Sequence, residues 1–199
     1  MYLDEYLKIH SKKYLVFDLD ETLAWLKIDW SGFRDGFFEV VKRFDPSMVE
    51  LVDRYQDSSR GLYNELVYQQ GFGIKQVMDT FYEHFELSNY HGIVVNDELV
   101  DFIHRNHDQY TMVVWTNQSR KMALKALKEL KLEDVFEKVI AKENKNLAKP
   151  NPDGFYTFFE PGVHTRSEFL MLGDSDADEM ACLRAGIDFL RVKMKFNEQ

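Results

Sequence analysis

The chain has 199 residues, is 45% hydrophobic, and carries 34 acidic against 25 basic side chains, for a net charge of −9. This composition is typical of an ordered protein with one substantial core and excludes a disordered chain. An acidic surface repels nucleic acids and anionic membranes, so we expect neither as a partner. An anionic substrate would then need a metal ion or a well-placed cation.

Two features of the sequence bear on its compartment. The single cysteine, Cys182, cannot close an internal disulfide and lies in an apolar helical stretch, where we interpret it as a buried residue. The first 13 residues lack the apolar segment of a signal peptide. We therefore expect a cytoplasmic protein, with its oligomeric state left open.

Short apolar runs without polar alternation predict strands that are buried on both faces. In chain order, these runs are residues 14–17, 112–115, 139–141, 169–172 and 189–192. Helical patterns accompany the later runs, at residues 97–105, 120–132 and 178–185, and Gly186 is a suitable C-cap for the last helix. Strands that alternate with helices predict a Rossmann-like, doubly wound parallel α/β sheet.

The stretch from residue 28 to residue 91 breaks this alternation and contains no convincing strand. Apolar residues recur there in four sets at helical spacing, and Pro46, Gly71 and Gly73 separate the sets. We therefore predict a small all-helical domain at residues 28–91, inserted into an α/β core made of residues 1–27 and 92–199.

Two carboxylates follow the first predicted strand. Side chains two positions apart in an extended chain point the same way, so Asp18 and Asp20 project together from its carboxyl end, where open α/β sheets bind ligands. Two carboxylates this close repel each other, so one of them tends to hold a proton or to be stabilised by a nearby cation. A nucleophile paired with a general acid needs that division of roles. Alone, the pair could equally be an Asp-rich turn that caps a helix.

Further polar residues follow the later strands. Thr116 and Asn117 offer a hydroxyl, an amide and an opening helix N-terminus, which suit an anion but also form ordinary helix caps. Lys149 lies in a turn stiffened by two prolines, where it could neutralise a phosphate or simply be solvated. Asp174 leads an acidic cluster after the fourth run, and such hard oxygen ligands suit Mg²⁺.

Taken together and in this order, these motifs resemble those of the haloacid dehalogenase superfamily of phosphohydrolases. DLDETL at residues 18–23 is similar to its DxDxT motif, and VVWTN at 113–117 to the apolar run that ends in Thr. AKPNP at 148–152 resembles the lysine motif, and GDSDADEMACLRAG at 173–186 the GDSxxD signature. The helical insertion after the first motif resembles the small cap of that family.

The resemblance implies a role for each residue. Asp18 would attack phosphorus and become an aspartyl phosphate, while Asp20 would protonate the leaving oxygen and then activate water. Mg²⁺ would be held by Asp18, the backbone carbonyl of Asp20, and Asp174. Support for this metal site would come from Asp178, whose spacing fits best, or from Asp176 in its place. The phosphoryl oxygens would be gripped by Thr116, Asn117 and Lys149.

Departures from the family pattern narrow the function. An acid at Asp20 favours a phosphatase or a phosphomutase over a dehalogenase, because a halide leaves without a proton. Glu21 stands where many relatives carry Gly, and the sequence alone indicates no strong consequence. We therefore expect a Mg²⁺-dependent phosphatase for a small phosphorylated metabolite. The alternatives are a phosphomutase or phosphotransferase that uses the same residues, and a non-catalytic phosphate-binding protein.

The inserted region offers candidate substrate contacts. Residues 69–73, which contain two glycines and two amides, are the expected specificity loop. Basic residues in the region could contact the substrate, although solvated helix faces explain most of them: Arg34, Lys42, Arg43, Arg54, Arg60 and Lys75. Aromatic residues could stack on a nucleotide base, although core packing is the commoner role: Trp25, Trp30, Phe33 and Phe72.

Overall fold

A computed structural model describes residues 2–55 and 59–194 of the chain. The strands are β1 (Tyr14–Phe17), β2 (Ala24–Ile28), β3 (Tyr90–Val95), β4 (Thr111–Trp115), β5 (Lys138–Ile140), β6 (Phe169–Gly173) and β7 (Asp188–Arg191). The helices are α1 (Tyr2–Ile9), α2 (Phe33–Phe44), α3 (Val49–Arg54), α4 (Ser59–Gln70), α5 (Phe72–Ser88), α6 (Asp97–Asn106), α7 (Arg120–Glu129) and α8 (Asp176–Ala185). Within the described residues, no helix has the length and apolar character needed to cross a membrane.

The core is a five-stranded sheet with the order β5-β4-β1-β6-β7, and all of its neighbouring strands run parallel. Alternate residues of each strand enter different apolar clusters, because successive side chains point to opposite faces. Leu15 and Phe17 of β1 pack with residues of α6 and α7, whereas Val16 packs with Ala181 and Cys182 of α8. Helices therefore cover both faces, and the predicted doubly wound α/β fold is confirmed.

A two-stranded antiparallel sheet, formed by β2 and β3, is the element that the sequence analysis missed. The β2 strand alternates between buried and exposed positions, and Lys27 lies on its exposed side. A search for unbroken apolar runs passes over such a half-exposed strand. Its partner β3 begins at Tyr90, inside the stretch from residue 28 to residue 91 in which no strand was expected.

In the sequence, helices α2, α3, α4 and α5 lie between β2 and β3. Their buried apolar residues form a cluster of their own, which is centred on aromatic contacts and is joined at its edge by Ala148 of the core. The helical spacing in the sequence arises from this packing, since the residues that recur at helical intervals, such as Phe37 and Val41, are those that are buried.

Helix α7 is shorter than the pattern predicts. The expected helix at residues 120–132 ends at Glu129, because Lys131 adopts a φ of 57°, which is incompatible with a continuing right-handed helix. Helix α8 begins two residues before the expected position and ends at Gly186, whose φ of 71° makes the predicted C-cap.

Candidate active site

The carboxyl ends of β1, β4 and β6 lie side by side because these strands are direct neighbours in the sheet. A cavity of about 450 Å³ opens at this edge, a volume typical of small-molecule sites. Its lining contains every residue that the sequence analysis assigned to the site: Asp18, Asp20, Thr116, Asn117, Lys149, Asp174 and Asp178. The expected convergence of these residues at one edge of the sheet is therefore observed.

Lys149 links two carboxylates at the floor of the cavity. It is 2% exposed, and its Nζ lies 2.7 Å from Oδ1 of Asp18, 2.5 Å from Oδ1 of Asp178 and 2.8 Å from the carbonyl oxygen of Trp115. Burial raises the pKa of Asp18 to about 6, against the lowering effect of Lys149. Burial alone would lower the pKa of Lys149, but the carboxylates of Asp178 and Asp18 raise it above its ordinary value.

Three carboxylates at the sheet edge fit a divalent cation. One oxygen from each of Asp18, Asp174 and Asp178 lies within 4.8 Å of the other two. Burial and the neighbouring Asp178 raise the pKa of Asp174 above its ordinary value. Lys149 neutralises one of the three charges, so the ionised group keeps an excess of negative charge that hard-oxygen cations such as Mg²⁺ relieve.

The acidic residues of the fourth motif have separate roles. Oδ2 of Asp178 accepts hydrogen bonds from the backbone N–H and the hydroxyl of Ser175, at 3.1 and 2.6 Å, so Asp178 is fixed in position within the three-carboxylate group. The side chain of Asp176 is 95% exposed and pairs with Arg191 at 2.8 Å. Of the two alternatives that the spacing left open, Asp178 is the one that belongs to the three-carboxylate group.

Gly173 explains how Asp178 comes so close to β6. A Cβ atom at Gly173 would lie 2.7 Å from Cβ of Asp178 and 2.8 Å from its Oδ2, closer than such atoms pack. The strand therefore needs a glycine where α8 returns against it. This contact supplies a physical reason for glycine in the first position of the GDSxxD motif.

Asp20 does not belong to the three-carboxylate group, because two hydrogen-bond donors hold its side chain. Its Oδ1 accepts a hydrogen bond from the backbone N–H of Leu26 at 2.8 Å, and its Oδ2 accepts one from Nε2 of Gln118 at 3.1 Å. Burial nevertheless raises the pKa of Asp20 to about 7, against the lowering effect of the Leu26 hydrogen bond. A carboxyl group that titrates near neutrality can donate and accept a proton at physiological pH.

Comparison with known proteins identifies the family of the chain. The family model for haloacid dehalogenase-like hydrolases matches residues 15–192. The chain belongs to this family. Its sequence is 28% identical over 112 residues to a protein named "putative pyrophosphatase PpaX" from Caldanaerobacter subterraneus, an alignment that covers 47% of the chain and 51% of that protein. The chain thus spans about half the length of the curated relative that it matches.

Solved structures show the same haloacid dehalogenase-like fold. A hydrolase of this superfamily from Bacteroides fragilis aligns with a TM-score of 0.59 and 21% identity, over 93% of the chain and 90% of that structure. A predicted phosphoglycolate phosphatase from Haemophilus somnus aligns with a TM-score of 0.59 and 16% identity, over 92% and 86%. At these identities the likeness concerns the fold.

In this haloacid dehalogenase-like chain, the loop after β4 connects several parts of the site. Thr116 is buried, and its hydroxyl accepts the backbone N–H of Gln118 at 3.1 Å. The amide of Asn117 donates to the carbonyl of Lys149 at 3.1 Å and accepts its N–H at 2.9 Å, so it positions the backbone of the lysine. The Gln118 contact with Asp20 was missed, because nothing in the sequence pairs these two residues.

Ser119, the next residue of this loop, contacts the inserted helices. Its backbone N–H donates to Oε2 of Glu86 on α5 at 2.9 Å. Glu86 is fully buried, and burial raises its pKa to about 7, against the attraction of nearby Lys142. Neither Glu86 nor Lys142 was a candidate in the sequence analysis, since both lie in ordinary helix or loop composition.

The residues that the inserted region contributes to the cavity differ from the predicted specificity loop. It contains Trp30, Phe33, Arg34 and Tyr82 from the inserted region and the segment leading into it, and none of residues 69–73. The expected specificity loop is therefore wrong. Residues 69–70 complete α4 and residues 72–73 begin α5, and Phe72 is 66% exposed beyond the cavity.

The remaining expectations concern the basic residues of this region and the single cysteine. Among the candidate basic residues, Arg34 lines the cavity, whereas Lys75 is buried in an ion pair with Asp79 at 2.5 Å. The side chain of Arg60 lies outside the described residues. Cys182 is buried as expected, and burial raises the pKa of its thiol to about 12.

Glu21 has a consequence that the sequence alone did not indicate. Its φ is 58°, a left-handed conformation that glycine adopts freely and other residues adopt at a cost. Its backbone N–H donates to the carbonyl of Ala24 at 2.9 Å and closes the turn that leads into β2.

Proposed function

We propose that this chain is a Mg²⁺-dependent phosphatase that hydrolyses a small phosphorylated metabolite through an aspartyl phosphate on Asp18. The observation that carries the proposal is the placement of two carboxyl groups with different partners in one cavity. Asp18 pairs with Lys149 beside two further carboxylates, while Asp20 is held by Gln118 and Leu26. The names of the relatives, a pyrophosphatase and a phosphoglycolate phosphatase, support phosphate chemistry.

In the first proposed step, a carboxylate oxygen of Asp18 forms a bond to phosphorus. The bond from phosphorus to the leaving oxygen breaks, its electron pair stays on that oxygen, and Asp20 supplies the proton. This requires Asp20 to be protonated while Asp18 is ionised. Their surroundings favour that division, because Lys149 stabilises the charge of Asp18 and burial favours the neutral form of Asp20.

In the second step, Asp20 takes a proton from water, and the water oxygen attacks phosphorus. The bond to Asp18 breaks and its carboxylate is restored. Lys149 and the hydroxyl of Thr116 would contact the phosphoryl oxygens, and Asn117 keeps Lys149 in place through its two backbone contacts. We assign Asp18, Asp174 and the backbone carbonyl of Asp20 as Mg²⁺ ligands, with Asp178 supporting them. The bound metal would neutralise charge on the phosphoryl group.

The helices between residues 28 and 91 would act as a cap that limits the substrate to small molecules. Trp30, Phe33 and Tyr82 bring apolar surface over the cavity, which reduces the access of water and strengthens charge interactions inside it. The full cap domain of residues 28–91 and the core of residues 1–27 and 92–199 are thus proposed as functional units.

The test is hydrolysis of an aryl phosphate and an alkyl phosphate with Mg²⁺ and with chelator. Asp18→Asn should abolish turnover and formation of a phosphoenzyme, because an amide is a poor nucleophile. Asp20→Asn should slow the reaction by about 10²–10⁴-fold. Its effect should be greater for the alkyl phosphate, whose leaving group needs the proton more.

Asp176→Asn is the matched control, since it makes the same change at an exposed acid of the same region. It should hydrolyse both substrates at the wild-type rate. Three outcomes would each contradict the proposal. They are near-normal turnover by Asp18→Asn, a phosphoryl group attached to a residue other than an aspartate, and equal rates with and without a divalent metal.

A further inference from the structure

Two asparagines hold the backbone at Lys149, the lysine proposed to bind the phosphoryl group, and they come from different parts of the chain. Asn117 belongs to the loop after β4 in the core, whereas Asn64 lies on α4 in the inserted region. Asn64 does not line the cavity, and the proposed hydrolysis gives it no role. Its contacts nevertheless lie one residue away from Lys149, at Ala148.

The side-chain amide of Asn64 binds both polar backbone groups of Ala148. Its Oδ1 accepts the N–H of Ala148 at 2.7 Å, and its Nδ2 donates to the carbonyl oxygen of Ala148 at 2.9 Å. Ala148 is 1% exposed, so water competes little for these hydrogen bonds. Leu147 and Ala148 also pack against the apolar cluster of the inserted helices. The segment that precedes Lys149 is therefore attached to α4 by hydrogen bonds and by apolar packing.

The peptide group between Ala148 and Lys149 is thereby held at both of its ends. Its carbonyl oxygen accepts the hydrogen bond from Asn64, and its N–H donates to Oδ1 of Asn117 at 2.9 Å. The carbonyl also accepts the N–H of Asn151 at 3.0 Å, but this contact lies within the same turn and moves with it. A peptide group is planar, so bonds at both ends fix its orientation. That orientation sets the direction in which the side chain of Lys149 leaves the backbone.

The confinement of the Lys149 side chain makes this direction important. Its Nζ lies 2.7 Å from Oδ1 of Asp18 and 2.8 Å from the carbonyl oxygen of Trp115, and the residue is 2% exposed. A side chain in a closely packed wall has few other rotamers with which to compensate for a backbone shift. A rotation of the preceding peptide would therefore carry the ammonium group away from the phosphoryl oxygens.

We propose that Asn64 is a positioning residue of the phosphate site, which holds the peptide before Lys149 so that the ammonium group meets the phosphoryl oxygens. This inference rests on the proposed function, in which Lys149 binds the phosphoryl group. It gives α4 of the cap a part in building the phosphate site, in addition to covering the cavity. Asn64 acts through the backbone and does not contact the substrate.

The test measures the binding of inorganic phosphate, a product of the proposed reaction, by calorimetry at saturating Mg²⁺. Asn64→Leu should weaken this binding by about tenfold, because the displaced ammonium group loses part of a charge-assisted contact. Asn64→Ser is a milder variant, whose short hydroxyl cannot reach both polar groups of Ala148. It should show a loss in the same direction, and it replaces Asn64→Leu if that variant does not fold.

Asn89→Leu is the matched control. The amide of Asn89 also donates to a backbone carbonyl in the inserted region, that of Phe85 at 2.9 Å, but it is not bonded to the segment before Lys149. This variant loses a similar hydrogen bond and should bind phosphate as the wild type does. Wild-type phosphate affinity in both Asn64 variants would overturn the proposal.

Kinetics with an aryl phosphate separate positioning from stability. Asn64→Leu should raise KM as well as lower kcat, with a fall in kcat/KM of about 10–100-fold, because Lys149 contacts the phosphoryl group before and during the reaction. A residue that only attaches the cap would lower kcat through the fraction of folded protein and would leave KM unchanged. That result would also overturn the proposal.

A double-mutant cycle shows whether Asn64 acts through Lys149. Lys149→Met lacks the ammonium group, so the addition of Asn64→Leu should weaken phosphate binding by less than about twofold, at a Mg²⁺ concentration that keeps both proteins folded. The same tenfold loss in both backgrounds would mean that Asn64 affects the site independently of Lys149, which contradicts the positioning role.

Binding and hydrolysis together distinguish this inference from the proposed function. If the wild type hydrolyses no phosphate ester but binds inorganic phosphate with the expected dependence on Asn64 and Lys149, the phosphatase function fails and the positioning role stands. If the wild type hydrolyses the aryl phosphate and the Asn64 variants keep wild-type phosphate affinity, the function stands and the positioning role fails.

Discussion

Two of the ionic clusters that are buried in the described part of this molecule differ in their balance of charge. The sheet-edge cluster contains three carboxylates and one ammonium group: Asp18, Asp174, Asp178 and Lys149. The seam cluster joins α5 to the core and contains one carboxyl group, one ammonium group, two aromatic rings and a helix N-terminus: Glu86, Lys142, Tyr63, Tyr82 and Ser119.

This difference in charge balance indicates different roles: metal binding for the sheet-edge cluster, and attachment of α5 to the core for the seam cluster. An excess of buried negative charge is unfavourable unless a cation binds, so the sheet-edge cluster favours a metal site. The seam cluster pairs unlike groups, and its contacts attach an inserted helix to the loop that also orients Asp20. The predictions that follow test this contrast, in order of decreasing effect.

Removing the cation from the sheet-edge cluster should have the largest effect on stability. Lys149→Met leaves Asp18 and Asp178 buried without their partner, which should lower the free energy of unfolding by about 3–5 kcal/mol in chelator. Mg²⁺ should raise the stability of this variant more than that of the wild type, because the ion replaces the missing charge. Urea denaturation with and without Mg²⁺ measures both effects.

Lys142→Met provides the comparison, since it removes a lysine of equal burial from the seam cluster. It should also destabilise the protein, but without an extra response to Mg²⁺. The same Mg²⁺ response in both variants would contradict the contrast between the two clusters.

The seam cluster should give a pH-dependent stability. Burial raises the pKa of Glu86 to about 7 in the folded protein from an unfolded value of 4.5, so the folded state holds a proton that the unfolded state has released. Stability should therefore decrease as pH rises from about 4.5 to about 7 and then level off. Each unit of pKa difference corresponds to about 1.4 kcal/mol, so the difference between 4.5 and about 7 corresponds to about 3–4 kcal/mol.

Glu86→Gln cannot titrate and should reduce the slope of melting temperature against pH in this range, while Asp18 and Asp20 keep their own contributions to it. Glu83→Gln changes a partly exposed residue one turn earlier on the same helix and should leave the slope in place. An unchanged slope in Glu86→Gln would assign the pH dependence to other groups.

A methyl group at Gly173 should disturb the sheet-edge cluster through packing alone. In Gly173→Ala the new Cβ would meet Cβ of Asp178 at 2.7 Å, so α8 must shift, at a cost of about 1–3 kcal/mol. Activity should fall because Asp178 moves away from Lys149. Gly73→Ala is the control, since its Cβ would lie 3.6 Å from Phe44 within a helix that favours alanine. A Gly173→Ala protein of wild-type melting temperature and activity would rule out the close approach.

The smallest effect concerns the backbone beside the sheet-edge cluster. Glu21→Gly should stabilise the protein by about 0.5–1 kcal/mol, because relief of the left-handed conformation exceeds the added freedom of the unfolded chain. Glu21→Ala removes the same side chain but keeps the Cβ atom, so it should not stabilise. Thermal melting of the two variants decides whether the φ of 58° carries this cost.

The two clusters also differ in how much of them the sequence predicts. Asp18 and Asp174 of the sheet-edge cluster follow strands directly, so residue type and strand position were sufficient to predict that they lie close together. Lys149 in a loop and Asp178 in α8 were added by the resemblance to the family's motifs. The seam cluster depends on the packing of α5 against the loop after β4, and no local sequence pattern predicts that packing. The contact of Gln118 with Asp20 was missed for the same reason, since the two residues are far apart in the chain.

The β2–β3 sheet and Glu21 show two further limits of prediction from the sequence. The β2 strand alternates and includes Lys27, so it lacks the apolar run by which the buried strands were found. At Glu21 the residue type is visible, but its cost depends on a dihedral angle that only the folded turn defines. The aromatic residues of the inserted region were likewise visible, and only packing shows that Trp30 and Phe33 reach the cavity.

The central position of β1 has a consequence for synthesis of the protein. This strand carries Asp18 at its end, and its two neighbours in the sheet are β4 and β6, in which Thr111 and Phe169 lie opposite Tyr14. The chain must therefore grow by 155 residues, from 14 to 169, before β1 has both partners. At typical ribosomal rates this interval lasts roughly 8–30 s. During that time the strand that precedes Asp18 lacks one of its two hydrogen-bonding neighbours, so the candidate site cannot assemble until β6 has been synthesised.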